Sequence, residues 1–249
     1  MERLDQLLKR RGVFQTRARA RRAIMAGVVE VDGQRVDKPG RSVPADADVV
    51  VAEPSEPFVS RGGRKLAAAL DHFGIDPSGW VCADVGASTG GFTDCLLQRG
   101  ARRVFAIDVG NGQLDYGLRK DSRVEVMERV NARHLPADAL GELCDLATFD
   151  LSFISLAKVV PALVGHVRDG GLLLMLVKPQ FEAGRRDVGK GGIVRDESVR
   201  AAAIAQTVRL LEESALERLG LFDSPVHGAK GNREAFALFR KTGAQGTVE

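Results

Sequence analysis

Apolar residues recur in two different rhythms along this chain. In "RLDQLLKRRG", Leu4, Leu7 and Leu8 fall at helical spacing, which predicts a short amphipathic helix. Thr16 is placed to cap a second helix, "RARARRAIMAG", with Gly27 as its stop. "VVEVDGQRV" follows, and its Asp32-Gly33 pair predicts a hairpin turn between two β-rich strands. "ADVVVAE" supplies a further strand. Two prolines in "EPSEPF" then mark a joint.

From residue 80 the rhythm becomes strand, turn, helix. "WVCADVG", "RRVFAIDVG", "RVEVMER", "ATFDLSFIS" and "LLLMLVKP" are nearly unbroken apolar runs, as strands buried on both faces require. "GGFTDCLLQRG" reads as a helix closed by Gly100. The helix "ESVRAAAIAQTVRLLEES" precedes two more strand candidates, "ALERLGLF" and "EAFALFRK". The alternation predicts an α/β fold, a doubly wound and mostly parallel sheet, behind a small α+β domain. The expected boundaries are 1–52 for the small domain, 53–60 for the joint, 61–241 for the large domain and 242–249 for a disordered tail.

Charge sharpens this division. Residues 1–52 hold 11 Lys and Arg against 7 Asp and Glu, whereas the remainder holds 25 against 26. The basic excess therefore sits in the first fifth of the chain. "KRRGVFQTRARARR" carries seven basic residues and no acid. Arginine suits bidentate phosphate contacts, so Arg10, Arg11, Arg17, Arg19, Arg21 and Arg22 are candidate RNA contacts. Arg61 and Arg64 of "SRGGRKL" join them. The competing reading is a solvated basic face. The longest strongly apolar run, "LLLMLV", falls far short of the ~20 residues a membrane span needs. "MERLDQLLKRRG" has no apolar core of a secretion signal. Cys82, Cys95 and Cys144 form no paired motif, and four scattered histidines show no metal-ligand spacing. These features predict a cytoplasmic, metal-free monomer.

"DVGASTGGFTD" poses the central chemical question. A P-loop would need Lys after its last glycine, and Gly91 is followed by Phe92. The dinucleotide spacing G-x-G-x-x-G is absent too. A strand ending in D-x-G before a Gly-rich turn fits the first motif of S-adenosylmethionine-dependent methyltransferases. An acid such as Asp84 suits a sulfonium and an ammonium, where pyrophosphate would be repelled. Asp84, Gly86, Ala87, Ser88, Thr89, Gly90, Gly91 and Phe92 are thus expected to line the cofactor, the glycines letting backbone approach it. Asp108, with Val109, ends the second strand, where an acid accepts hydrogen bonds from a ribose diol. Asn131, after the third, is placed to meet the adenine.

The methyl acceptor follows from what is missing and what is present. "FDLSF" lacks the prolines of an amino-group methylase, and no Pro-Cys pair offers a nucleophile for ring carbon. Oxygen methylation needs a hydroxyl to be oriented and deprotonated. A lysine can serve if its neighbours lower its pKa from about 10.4 towards neutrality. Lys178 ends the fifth strand, Asp150 ends the fourth, Lys65 opens a helix and Glu234 opens the last strand. Sheet topology could gather them at one edge.

The stretches "SRGGRKL", "GASTGGFTD", "DVGNGQLDYGLR", "ERVNAR", "DLSFISL", "LVKPQFEAGR" and "GNREAF" resemble the haemolysin A (TlyA) family. "TRARARRAIMAGVVEVDGQRVDKPG" resembles the small RNA-binding module of a small-subunit ribosomal protein and of pseudouridine synthases. The first resemblance covers about residues 2–241. It implies a class I methyltransferase sheet of the FtsJ type, with the last strand antiparallel. It implies 2'-O-ribose methylation of ribosomal RNA, with rRNA or a ribosomal subunit as partner and a cytidine of the large-subunit RNA as the leading target. Short versions are associated with the large subunit alone, longer ones also with the small. It places the catalytic set on Lys65, Asp150, Lys178 and Glu234. Lys178 would be the base, Lys65 its cationic neighbour, Asp150 its orienting carboxylate and Glu234 the support for Lys65. The alternatives are a membrane-active cytolysin, an RNA-binding protein without chemistry and a small-molecule O-methyltransferase. "EAGRRDVGKGGIVRD" is expected to be a mobile loop closing over RNA, with His227 as a further candidate at the site.

Overall fold

A computed structural model describes the chain except residues 15, 16, 26, 52–56, 185, 229 and 244–249, and the side chains of 18, 19 and 22. Contacts divide it into two compact parts, Met1–Pro57 and Phe58–Glu249.

The first part begins with β1 (Glu2–Arg3) and α1 (Leu4–Arg10), followed by α2 (Arg17–Met25). β2 (Val29–Val31), β3 (Gln34–Arg35), β4 (Ser42–Val43) and β5 (Val49–Val51) complete it. β2 pairs antiparallel with β3 and β5, and β1 with β4. Asp32 and Gly33 both have positive φ, as the expected two-residue turn demands. Leu4, Leu7 and Leu8 are fully buried with Ile24, Val29 and Val31 in one apolar core. The Thr16 cap lies outside the described residues.

The second part opens with α3 (Arg61–Phe73). Its strands are β6 (Val81–Val85), β7 (Arg103–Asp108), β8 (Val124–Glu128), β9 (Cys144–Phe149), β10 (Val167–Val177), β11 (Leu216–Asp223) and β12 (Ala235–Lys241). Its other helices are α4 (Gly91–Gln98), α5 (Tyr116–Arg119), α6 (Val160–Val164), α7 (Pro179–Glu182) and α8 (Glu197–Glu212), with single 3₁₀ turns at Ala132–His134 and Leu156–Lys158. The sheet order is β11-β12-β10-β9-β6-β7-β8. β10, β9, β6, β7 and β8 are mutually parallel, and β12 runs antiparallel to both its neighbours. The expected topology, with an antiparallel last strand, is the one observed. Alternate residues of β6 feed two cores: Val81, Ala83 and Val85 face one, Cys82 the other. Both faces are covered, which is why these strands read as unbroken apolar runs.

The joint and the tail differ from expectation. Residues 52–56 lie outside the described set, but Phe58, Val59 and Ser60 belong to the second part. Val59 N–H donates to Asp94 on α4 at 2.8 Å, and Ser60 is the residue preceding α3. Thr242, assigned to the tail, donates to the Ala215 carbonyl through its N–H and its hydroxyl. Tail residues 244–249 lie outside the described ones. Among the described residues, no helix is long and apolar enough to cross a membrane, and no three His, Cys, Asp or Glu side chains gather as a metal site would.

Candidate active site

The strand order decides where chemistry can happen. Parallel strands bring their carboxyl ends to one edge, and ligands bind in the crevice there. A cavity of about 530 Å³ opens at that edge, lined by residues following β6, β9 and β10, by the start of α3 and by the connection into β12. That is within the usual size of a small-ligand site.

Four side chains far apart in sequence meet in it. Lys178, just past β10, brings Nζ to 2.5 Å from Asp150 Oδ1, just past β9. The same Nζ donates to Ser152 Oγ at 3.1 Å. Lys65, on the first turn of α3, donates to Glu234 Oε2 at 2.6 Å. Glu234 Oε1 accepts from Gln180 Nε2 at 3.2 Å. Glu234 is 2% exposed, and each lysine 9%. Buried charges persist only when paired, and each of these is. The set expected from sequence thus lines one cavity as two ion pairs.

The Gly-rich loop lines the same cavity through Asp84, Gly86, Ala87, Ser88, Thr89, Gly91 and Phe92. Asp84 is fully buried, and its Oδ2 accepts from Thr93 N–H at 2.8 Å and Thr93 Oγ1 at 2.6 Å. Its Oδ1 has no partner among the described residues. Burial pushes its pKa up to about 7, against the Thr93 hydrogen bonds and with help from Asp150.

The glycines are also demanded by the protein's own packing. A Cβ on Gly86 would stand 2.7 Å from the Asp150 carbonyl oxygen, and one on Gly90 2.3 Å from Leu118 Cδ1. Both have φ above 90°. The loop is therefore glycine-rich because its own neighbours crowd it and because its φ values exclude side chains. Gly90 does not line the cavity.

Three cofactor candidates also stand outside the cavity lining. Asp108 Oδ2 accepts from Ser88 N–H at 2.8 Å and Oδ1 from Gly110 N–H at 2.6 Å, so it braces the loop that does line it. Val109 is 71% exposed. Asn131 is exposed and accepts from Arg133 N–H at the head of a 3₁₀ turn.

Sequence reading passed over Phe153, although "DLSFISL" contains it. Phe153 is 90% exposed, has φ +64°, lines the cavity and lies with its ring centroid 4.9 Å from that of Phe181. A large residue held in the left-handed region with its ring in solvent is a strained conformation of the kind that clusters at ligand sites. Ser152 and Gln180 were missed as well. Nothing in local sequence marks a residue whose role is to touch Lys178 or Glu234. His227 does not line the cavity. Near its end, the loop "EAGRRDVGKGGIVRD" is held by Asn232: Nδ2 donates to the Gly192 carbonyl at 2.8 Å, and Oδ1 accepts from Val194 N–H at 2.9 Å.

The basic stretch of the first part is more structural than its composition suggests. Arg17 donates to Asp5 at 2.9 Å, and Arg3 to the same carboxylate at 3.1 Å. Burial would raise the Asp5 pKa, but these arginines prevail and hold it below the usual range. Arg10 pairs with Glu2, and Arg11 donates to the carbonyls of Ala47 and Ala45. Arg21 is exposed. The side chains of Arg19 and Arg22 lie outside the described ones. In the second part Arg61 lines the cavity and Arg64, also on α3, does not.

Comparison with known proteins agrees with this geometry. The pattern of the FtsJ-like methyltransferase family matches residues 58–241, and that of the S4 domain residues 2–49. The chain is 46% identical over 239 residues to the 16S/23S rRNA (cytidine-2'-O)-methyltransferase TlyA of Mycobacterium tuberculosis, covering 96% of this chain and 89% of that one. It is 39% identical over 238 residues to Hemolysin A of Brachyspira hyodysenteriae, covering 95% and 99%. A solved structure from Streptococcus thermophilus that bears a hemolysin label superposes with a TM-score of 0.74 at 42% identity, covering 97% of this chain and 88% of that one. The chain belongs to the FtsJ-like methyltransferase family and carries an S4 domain ahead of its catalytic domain.

Proposed function

We propose that this protein transfers the methyl group of S-adenosylmethionine to the 2'-hydroxyl of a cytidine in ribosomal RNA. The observation that carries the reading is Lys178, buried, held by Asp150 and Ser152, and open to the cavity that the Gly-rich loop also lines. The name of the tuberculosis relative supports the acceptor, and the S4 domain supports RNA as partner.

The residues fit the cofactor. Asp84 Oδ1 is a buried acceptor without a partner among the described residues, suited to an ammonium. The loop from Gly86 to Thr89 would cradle the ligand, and Asp108 retains acceptor capacity for a ribose diol. When bound, S-adenosylmethionine supplies an electrophilic methyl.

The chain's own side chains supply the rest. A lysine nitrogen has three directions besides its carbon. Ser152 takes one N–H, and Asp150 holds the nitrogen as an ion pair. The remaining direction is left for the 2'-hydroxyl, whose proton passes to Lys178 as the C–O bond forms. Lys65 is braced by Glu234, itself fixed by Gln180, and its remaining N–H groups can hold the ribose. Phe153 offers a ring on which the displaced base can stack. One chain carries every one of these residues, so a monomer suffices. The large-subunit RNA is the first target and the small-subunit RNA the second.

Mapping 2'-O-methylated riboses in both rRNAs, with and without the gene, tests this. The expected result is one cytidine losing its methyl in the large-subunit RNA. An unchanged map, or a methyl lost from a base, would overturn the reading.

A further inference from the structure

The cations of the cavity are not equivalent. Arg61, Lys65, Lys178 and Lys230 all line it. Lys65 is neutralised by Glu234 and Lys178 by Asp150. Among the described residues, Arg61 and Lys230 have no such counter-ion. An uncompensated cation in a partly enclosed site attracts an anion.

Position along the sheet separates these two. The Gly-rich loop follows β6, and Asp150 and Lys178 end β9 and β10. Glu234 precedes β12, and Lys230 lies beyond, in the connection between β11 and β12. Lys230 therefore comes from the connection at the β12 side of the cavity, and the Gly-rich loop from the β6 side. Its support is braced. Gly228 N–H donates to the Asn232 carbonyl and Gly231 N–H to the Gly228 carbonyl, both at 2.9 Å. Asn232 in turn holds Gly192 and Val194 of the facing loop. Lys230 Nζ lies 3.8 Å from where a Cβ of Gly192 would be, so the ammonium stands beside the facing loop.

We propose that Lys230 is a backbone clamp that grips a phosphodiester flanking the acceptor ribose. The proposal rests on the reading of RNA as methyl acceptor. Inside a strand the acceptor ribose carries a phosphodiester on each side, and each bears one full negative charge. Lysine meets such a charge as a compact, mobile point. The contact sets the register of the strand over Lys178 and reads no base.

The test compares wild-type protein, Lys230→Ala and Lys230→Arg on purified ribosomal subunits lacking the modification, across a potassium chloride series. Lys230→Ala is expected to raise KM for the subunit about tenfold, the loss of one charge-assisted hydrogen bond. The slope of log kcat/KM against log salt should become shallower by roughly 0.7 to 0.9. Lys230→Arg should restore both, and calorimetric affinity for S-adenosylmethionine should be the same in all three. An unchanged KM and slope in Lys230→Ala would make Lys230 an ordinary surface lysine. Lost cofactor affinity would move its anion to the cofactor carboxylate. Either result overturns the clamp. If wild-type protein methylates neither subunit, the reading beneath it fails first, and the clamp with it.

Discussion

Asp150 Oδ1 and Lys178 Nζ lie 2.5 Å apart at the ends of adjacent parallel strands, although 28 positions separate them in the chain. The pair is where carboxyl-edge topology becomes chemistry. Lys178→Ala should lower kcat by about 10²- to 10⁴-fold, the usual weight of a positioned base. Lys178→Arg should be as poor, since arginine cannot deprotonate. Cofactor affinity by calorimetry should survive in both. Turnover near wild type in the arginine variant would remove Lys178 from the role of base.

Cofactor binding is expected to depend on pH through Asp84. Its pKa in the folded chain is about 7, well above the ordinary carboxylate value. Between about pH 4 and 7 the folded state therefore holds a proton that the unfolded chain has released. That contribution to stability is full at low pH and is lost as pH rises to 7. A bound cation reverses the preference by favouring the carboxylate. Affinity for S-adenosylmethionine should thus climb from pH 5.5 to 7, approaching tenfold per unit, and then level. Asp84→Asn should bind weakly with no such climb. A flat wild-type profile would mean that Asp84 does not face the cofactor cation.

Phe153 should separate stability from turnover. Its φ of +64° suits glycine better than a large side chain. Phe153→Gly is expected to keep or raise the melting temperature. Stacking of a base on an aromatic ring is worth about 1–3 kcal/mol, so kcat/KM on RNA should fall roughly 5- to 100-fold. Equal turnover by both proteins would leave the exposed ring without a role in the acceptor site.

Arg17 and Arg21 are four positions apart and should behave differently. Arg17→Ala leaves buried Asp5 with Arg3 alone. It should destabilise the S4 domain by about 1–3 kcal/mol. Arg21→Ala should leave melting unchanged and flatten the salt dependence of RNA binding by roughly 0.7 to 0.9. Identical effects in the two variants would contradict the division between structural and phosphate-facing arginines.

What could be read from sequence follows a physical line. Burial on two faces writes itself as long apolar runs, so "WVCADVG" and "LLLMLV" announced β6 and β10. Asp150, Lys178 and Glu234 at strand ends, with Lys65 on a helix, could be listed as a set because the family resemblance implied it and a parallel sheet brings its carboxyl ends to one edge. Residues acting through a neighbour leave no such trace. Ser152 and Gln180 matter through contacts with Lys178 and Glu234, which exist only once β9, β10 and β12 are side by side. The arginines of "TRARARR" erred in the opposite direction. A charge run looks uniform in sequence, but Arg17 is committed to Asp5 by the packing of α1 and α2. The glycines of "DVGASTGGFTD" have a second reason that sequence could not show, since the protein itself crowds Gly86 and Gly90.

The contact between Gly86 and the Asp150 carbonyl carries a lesson for anyone redesigning the donor. A bulkier sulfonium, carrying an allyl or propargyl group for labelling RNA, needs room made near the transferring carbon. Widening the glycine turn would push on the very peptide that aims the carboxylate at Lys178, so space gained there would be offset by misalignment. The aromatic side of the cavity carries a linkage of its own: the Phe181 ring centroid lies 5.8 Å from Lys178 Nζ and 4.9 Å from that of Phe153, so trimming Phe181 would loosen the base and the stacking ring together.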